Sequence, residues 1–523
     1  MMRLFSLLIS MLWLIGPACA GDLPTELPTD LDAHIERALK TFQVPGVSVA
    51  IVKDGKTVMA RGYGVRDIDK PELVDGDTLF GIASNTKAFT GASLAILVDD
   101  GLLEWDDPVI NYLPDFRMYN SYITSELTVR DLLVHRSGFS LGAGDLLHWP
   151  EAEYTTEEII YRLRFIKPAT SFRAKYAYDN VLYLVAGQVV AKVSGMPWKD
   201  FVKQRIFTPL GMNRASFTAE DFLADSNHVA PHIVLEDRLQ TVRLMGLDSI
   251  APAGAINASA AEMALWVTTQ LNQGRIGDSD KRIFSEAQSR EMHSIVTPYP
   301  VGKLPPAMAA QQANFRGYGL GWAVQDYQGK KMVAHNGGLL GQVSRVTMLP
   351  DLSLGVVVLT NQQSGAAFSA ITYLILDHYL GLEKPTDWIT VYADQVAKNK
   401  AGVSELLKKQ EAEHNTNSKP SLALSAYAGL YRDSWFGDAT ITLEGEALRL
   451  RFVKSPLMIG TMEHYQYDTF IVRWDERSLE ADAYVSFALE ADGSVEKMKM
   501  KPVSPMTDFS FNFQDLHFVP VSN

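Results

Sequence analysis

Cysteine is almost missing: the 523-residue chain has one, Cys19. Thiol catalysis and thiolate metal sites are therefore excluded from the rest of the chain. If Cys19 leaves with a leader peptide, the mature protein has none, which suits an oxidising compartment because nothing can mispair. Positive charge is also in deficit. Lys and Arg number 48 against 61 Asp and Glu, a net charge of −13, which leaves a nucleic-acid or anionic-membrane role unsupported. After the first twenty residues no run is apolar for the ~20 positions that a bilayer span needs. Short internal repeats, sustained heptads, a P-loop and a G-x-G-x-x-G between strand and helix are lacking too. No cofactor and no nucleic-acid partner are expected.

What is there begins at the N-terminus. MMR is a short positive start, LFSLLISMLWLIG has the length of a signal-peptide apolar region, and Ala18-Cys19-Ala20 supplies an A-x-A cleavage site. Residues 1–20 are read as a signal peptide, with a mature start at Gly21. An N-terminal anchor is the rival, but the run is short for one. Lipidation of Cys19 is a second rival, and Gly16-Pro17-Ala18 lacks the leucine wanted three residues before the cysteine. The expected location is periplasmic or secreted, without a stable membrane span.

The length suggests two domains. GVSVAIVKDGKTVMARGYG (46–64) reads as a hairpin, because Asp54-Gly55 separates two β-branched runs. Helical stretches follow: one after Ser84, then TVRDLLVHRSG, TTEEIIYRLRF, DNVLYLVAGQVVAKVSG and SAAEMALWVTTQLNQG. From 318 the pattern returns to strands in YGLGWAVQD, KKMVAHNGG, QVSRVTMLP and LGVVVLTN, closed by a helix at about 366–380. Strands at both ends of a helical middle imply one sheet built from both ends, with helices on its faces. Residues 384–420 hold a charged amphipathic helix and a polar linker. Residues 421–523 alternate as a small all-β barrel or sandwich.

Three clusters carry candidate chemistry: Ser84-Asn85-Thr86-Lys87, Tyr178-Asp179-Asn180 and His335-Asn336-Gly337. Each alone has a plain reading. Ser84 or Asn180 serves as a helix N-cap, Tyr178 as a core aromatic and His335 as a strand histidine. His228 and His232 are spaced i,i+4, but Pro231 breaks the helix a shared metal face needs, and His135 in LVHRSG reads as structural. No metal site is expected.

Order and setting favour the chemical reading. S-x-x-K at a helix start, Y-x-N before a helix and H-x-G on an edge strand together resemble the serine β-lactamase and penicillin-binding-protein-like family, in its class C-related branch. DGKTVMARGYG, LTVRDLLVHRSGF, APAGAINASAAEMALW, YGLGWAV and GGLLGQVSRVTMLPDLSLGVVVLTN extend the resemblance over roughly residues 30–380. It implies an α/β (α+β) fold, an antiparallel sheet flanked by helices plus an all-helical subdomain, over 21–383. A helical linker would follow at 384–420. LSAYAGLYRDSW opens a segment, 421–523, that resembles the lipocalin-like barrel of some relatives. There it borders the cleft or mediates homo-oligomers; the alternative is a stabilising appendage.

The chemistry fits those positions. Residues three apart on a helix share a face, and a helix N-terminus favours negative charge forming at Ser84. A serine hydroxyl needs a base, and Lys87 serves only if its amine is neutral near pH 7, far below its usual ~10.4. Tyr178 is placed to relay the proton to the leaving group, and Asn180 to fix Lys87 and the substrate amide. By resemblance, the oxyanion hole is the N–H of Ser84 and the N–H of Gly338. Gly337, lacking a side chain, would let substrate lie close, and Asn336 would bind it. His335 departs from the Lys-Thr-Gly usual in β-lactamases. A mostly neutral histidine predicts weaker carboxylate anchoring, and H-x-G resembles D-aminopeptidases and other unusual peptidases and esterases.

The leading expectation is therefore an exported serine hydrolase acting through an acyl-enzyme on Ser84. Its substrate would be a small peptide with D-residues or a linearised cyclic peptide. An esterase, or a β-lactamase or D,D-peptidase, would use the same residues. A non-catalytic assembly or binding protein is the alternative of another class.

Overall fold

The computed structural model describes residues 23–521; the expected signal peptide, 1–20, lies outside them. The chain starts with α1 (Leu31–Phe42) and the hairpin β1 (Gly46–Lys53) and β2 (Lys56–Gly64). The hairpin turns where Asp54 and Gly55 both take positive φ, 52° and 76°, as a two-residue turn matched to strand twist requires. After α2 (Thr86–Asp99), α3 (Val181–Ser194) and α4 (Ala260–Leu271), the chain forms β3 (Thr297–Pro298), β4 (Arg316–Tyr318) and β5 (Ala323–Tyr327). Then come β6 (Lys330–Leu339), β7 (Gln342–Leu349), β8 (Leu354–Thr360), α5 (Gly365–Tyr379) and α6 (Trp388–Ala412).

These strands make one eight-stranded antiparallel sheet in the order β2-β1-β8-β7-β6-β5-β4-β3. Both chain ends of the unit meet at β1 and β8, as the strand–helix–strand pattern implied. Alternation sorts the side chains of β1 into two cores. Val47, Val49 and Ile51 pack with α1, α5 and Trp388, whereas Ala50 and Val52 join the core holding α2, α3 and α4. Capping boxes start two helices: Ser259 with Glu262 at α4, and Thr155 with Glu158 at Thr156–Arg162.

Two expectations need correcting. TVRDLLVHRSG is not an α-helix but a single 3₁₀ turn, Arg130–Leu132. The buried carboxylate of Asp131 accepts from the Thr128 amide and from Arg136 and Arg173, so the segment folds round a side chain rather than into a backbone ladder. The H-x-G strand, β6, is not at the sheet edge. It pairs with β5 as far as Ala334↔Ala323 and with β7 from Val333 to Leu339. Only its second half, His335–Leu339, is open on one side.

The C-terminal strands are β9 (Gly429–Asp433), β10 (Gly437–Glu444), β11 (Ala447–Phe452), β12 (Ile459–Gln466), β13 (Thr469–Trp474), β14 (Ala483–Leu489), β15 (Val495–Pro502) and β16 (Val519–Pro520). They form an antiparallel sheet in the order β15-β14-β13-β12-β11-β10-β9-β16, and a bridge between Met498 and Phe518 nearly closes it into a barrel.

Candidate active site

Ser84 lies in a 3₁₀ turn, Ala83–Asn85, that runs straight into α2. Its side chain caps nothing; the turn is held from outside. Ser344 on β7 donates to the Ile82 carbonyl (2.7 Å) and accepts from Asn85 Nδ2 (2.8 Å), and Gln342 accepts from the Gly81 amide (2.9 Å). On the other side the Ile256 amide donates to Thr86 (3.1 Å) and Thr90 donates to the Pro252 carbonyl (2.6 Å). Ala83, just before the serine, takes φ +49°, a conformation that costs an L-residue roughly 1–2 kcal/mol.

Lys87 follows one turn later and is fully buried. Its Nζ lies 2.6 Å from Asn180 Oδ1, 3.0 Å from the Ala253 carbonyl and 3.1 Å from Ser84 Oγ. Burial lowers its pKa to about 7, against the pull of Asp145 and Asp179. The neutral amine has two hydrogens and one lone pair. Asn180 Oδ1 and the Ala253 carbonyl only accept, so they take the two hydrogens. The lone pair is left facing Ser84 Oγ, where a base must be to receive its proton. Asn180 is pinned in that orientation, because its Nδ2 donates to Asp145 (2.9 Å). Asn180 precedes α3 without capping it.

Tyr178 stands beside this pair, with Lys87 Nζ 4.9 Å from its ring centre. Its ring packs on His135 (4.3 Å between centres) and edge-on to Phe509 (5.8 Å). Burial pushes its phenol well above 10, with the Ser84 hydroxyl working the other way. The phenol therefore keeps its proton near neutral pH and is a donor.

His335 is buried on the same face of β6. Its Nδ1 is 2.7 Å from the Asn336 carbonyl, which only accepts, so Nδ1 carries the hydrogen; Nε2 then accepts from Tyr318 Oη at 2.7 Å. Burial first, and Lys87 second, lower its pKa to about 3. The histidine is neutral, as its type suggested. Both ring nitrogens are engaged within the protein, so it braces Tyr318 rather than pointing a donor at substrate.

Gly337 also differs from expectation. A Cβ there would stand 2.1 Å from the Ile82 carbonyl oxygen, 2.4 Å from Ser344 Oγ and 2.9 Å from Ala83 Cβ. The glycine makes room for the turn that carries Ser84, not for substrate. Gly338 has open space where its side chain would be and borders the cavity. Asn336 points to the other face, where its cross-strand neighbour is Arg345.

A cavity of about 800 Å³ joins these residues. It reaches from Ser84, Tyr178, Asn180 and His335 round the open half of β6 to Asn336 and Arg345. Arg345 is buried, donates to Thr347 (3.0 Å) and Tyr373 (3.4 Å), and packs on the rings of Phe368 and Tyr373. Among the described residues no carboxylate pairs with it. Sequence reading missed Arg345, Tyr318 and Asp145, because no local motif marks them. The far wall, Glu480, Asp508, Phe509 and Ser510, comes from the barrel.

Comparisons with known proteins agree with this architecture. The family model described as Beta-lactamase matches residues 31–380, and one described as a domain of unknown function, DUF3471, matches 413–520. A protein named unguisins hydrolase ungD, from Aspergillus violaceofuscus, is 28% identical over 484 residues, covering 86% of this chain and 84% of that one. The octameric penicillin-binding protein homologue from Pyrococcus abyssi shares the fold with a TM-score of 0.59 and 23% identity, over 94% of this chain and 99% of that one. A D-stereospecific amidohydrolase from Streptomyces sp. overlays at a TM-score of 0.52 and 22% identity, over 66% and 98%.

Proposed function

Because this chain belongs to the β-lactamase family of hydrolases, we propose that it is a serine peptidase or amidase acting through an acyl-enzyme on Ser84. The observation that carries this reading is the Lys87 amine. It is lowered to about 7 by burial, and its two hydrogens have fixed acceptors, so the free pair meets the serine oxygen. The reaction then runs in balanced steps. Ser84 Oγ adds to the scissile carbonyl as its proton passes to Lys87, and the backbone N–H groups of Ser84 and Gly338 take the oxyanion. Tyr178, relaying from Lys87, protonates the departing amine, and the C–N bond breaks. Water then attacks the ester by the reverse relay and releases the acid.

The proposed substrates are short peptides with D-residues or linearised cyclic peptides. Support comes from the relatives, one named as a hydrolase of unguisins and one as a D-stereospecific amidohydrolase, and from the open half of β6, where a peptide can add as a strand. On such a strand alternate side chains face Ser84 and Arg345 by turns. Arg345 is the cation that His335 is not, so a substrate carboxylate would be read on the far face of β6. An exported location is proposed on the leader-like residues 1–20, and a homo-oligomer on the likeness to the octameric homologue.

The test is a fluorophosphonate label followed by peptide mapping. Ser84 is expected to carry it in the wild type. Ser84→Ala is expected to lose both label and turnover, with an unchanged thermal midpoint. More than a few per cent of residual turnover in Ser84→Ala would refute the acyl-enzyme. Parallel panels of D-aminoacyl amides and carboxylic esters separate peptidase from esterase.

A further inference from the structure

The barrel's wall of the cleft is hydrogen-bonded into the catalytic cluster. Its segment 504–516 crosses the loop 140–148 so closely that a Cβ on Gly142 would stand 2.5 Å from the Phe509 carbonyl oxygen. Ser140 Oγ bonds Asp515 at the same crossing. Next to Phe509, the buried Ser510 donates its hydroxyl to Asp145 Oδ2 at 2.9 Å. The same oxygen accepts from Asn180 Nδ2 at 2.9 Å, Asn180 Oδ1 accepts from Lys87 Nζ at 2.6 Å, and Nζ lies 3.1 Å from Ser84 Oγ. Four hydrogen bonds thus run without a break from the C-terminal domain to the nucleophile.

We propose that Ser510 is a positioning residue of the acylation machinery, acting through Asp145 and Asn180 on the Lys87 amine. The inference rests on the acyl-enzyme reading above. Asp145 is fully buried, and its other oxygen is 3.2 Å from His148 Nε2. A buried carboxylate keeps its place only while its donors do. If Asp145 turns, Asn180 is no longer pinned and the lone pair of Lys87 no longer faces Ser84. Charge is conveyed along the same line. The groups facing Lys87 are Asp145, Asp179, Tyr178, Tyr183 and His335, and those facing Asp145 further include His148, His135 and Asp508. The Asp145 charge holds the Lys87 proton on. A hydroxyl donating to that carboxylate weakens its field at Lys87.

The experiment measures the second-order rate of Ser84 labelling by a fluorophosphonate against pH, in the full-length chain. Ser510→Ala is expected to slow labelling roughly 5- to 10-fold, the scale of a lost hydrogen bond. Its acid limb is expected to move up by about half a pH unit, because Asp145 is left less shielded. Asp145→Asn is expected to move the limb the opposite way, since the charge itself goes. Ser510→Thr keeps the hydroxyl and is expected to restore the wild-type limb. A Ser510→Ala limb that coincides with the wild type overturns the proposal, even if the thermal midpoint falls, because Ser510 is then a domain contact only. A wild type that takes no label at Ser84 defeats the acyl-enzyme reading itself, which is a separate and recognisable failure.

Discussion

Lys87 is a buried amine with neutral acceptors on two sides and, among the described residues, no carboxylate at ion-pair distance. Its spacing from Ser84 was legible in the sequence, and so was the need for a pKa lowered by burial or by a nearby cation; which of the two lowers it was not. Burial does it, and two carboxylates, Asp145 and Asp179, limit it. Neither lies in the S-x-x-K motif, and Asp145 sits in a loop without any pattern that marks it. His335 shows the reverse case. Its neutrality was legible from residue type, but its partners, Tyr318 and the Asn336 carbonyl, were not. A pH profile separates the two residues. With Lys87 at about 7 and His335 at about 3, kcat/KM is expected to rise along one limb centred near pH 7 and to stay high at pH 8–9. His335→Gln is expected to keep that limb at a lower rate, because the histidine does not titrate there. A limb that vanishes in His335→Gln, or a wild-type rate that falls between about pH 6 and 7.5, would transfer the titration to the histidine.

At the scale of elements, periodicity carried the sheet and the long helices. The strands expected from 330 to 361 form, YGLGWAVQD is split by a turn at 319–322 between β4 and β5, and the Asp54-Gly55 turn has the conformation its residues favour. Reading failed where side chains override the backbone. TVRDLLVHRSG has helical spacing, yet Asp131 gathers two arginines and an amide and stops the helix after one turn. It also failed where two elements distant in sequence touch. Gly337 was identifiable as a residue that must be small, but the neighbour requiring it, the Ile82 carbonyl, lies far back in the chain. Gly337→Ala tests this. A methyl 2.1 Å from a carbonyl oxygen has no room, and the neighbour is backbone, so β6 and the Ser84 turn must separate. Overpacking of this kind costs typically 1–3 kcal/mol. We expect a lower thermal midpoint together with at least ~10²-fold slower labelling of Ser84, since catalysis is more sensitive to a misplaced nucleophile than folding is. Gly338→Ala, which meets nothing within 4 Å, is expected to keep its midpoint. Equal thermal losses in the two variants would show that the close approach of β6 to the turn is not the cause.

Over the whole molecule, the barrel and the helical subdomain share one continuous core, which runs from Ala50 to Phe518, and the barrel completes the cleft. The sequence showed where strands resume but not that they dock on residues 140–165, a surface that includes the helix Thr156–Arg162 and is held by contacts such as Arg162 to the Trp435 carbonyl and Lys454 to Glu158. Global stability should therefore report on Lys87. In the unfolded chain Lys87 titrates at its ordinary value near 10.5; in the folded chain burial holds it at about 7. Below pH 7 both states carry the proton, and folding bears the full cost of burying it. Between pH 7 and 10.5 the unfolded state binds more protons than the native one, so stability rises with pH. Above about pH 10 the buried tyrosines reverse the trend, because Tyr178, Tyr183 and Tyr318 are raised when folded and the unfolded chain then loses protons first. The clean window is pH 7 to 9.5. Lys87→Met fills the same space without a titrating group. Across that window the unfolding free energy of the wild type is expected to gain on that of Lys87→Met by up to about 1.4 kcal/mol per pH unit, the slope of one proton. Urea unfolding of both proteins at half-unit pH steps measures the difference. A difference that stays flat from pH 7 to 9.5 would mean that Lys87 is buried with its proton on, and the base for Ser84 would have to be sought elsewhere.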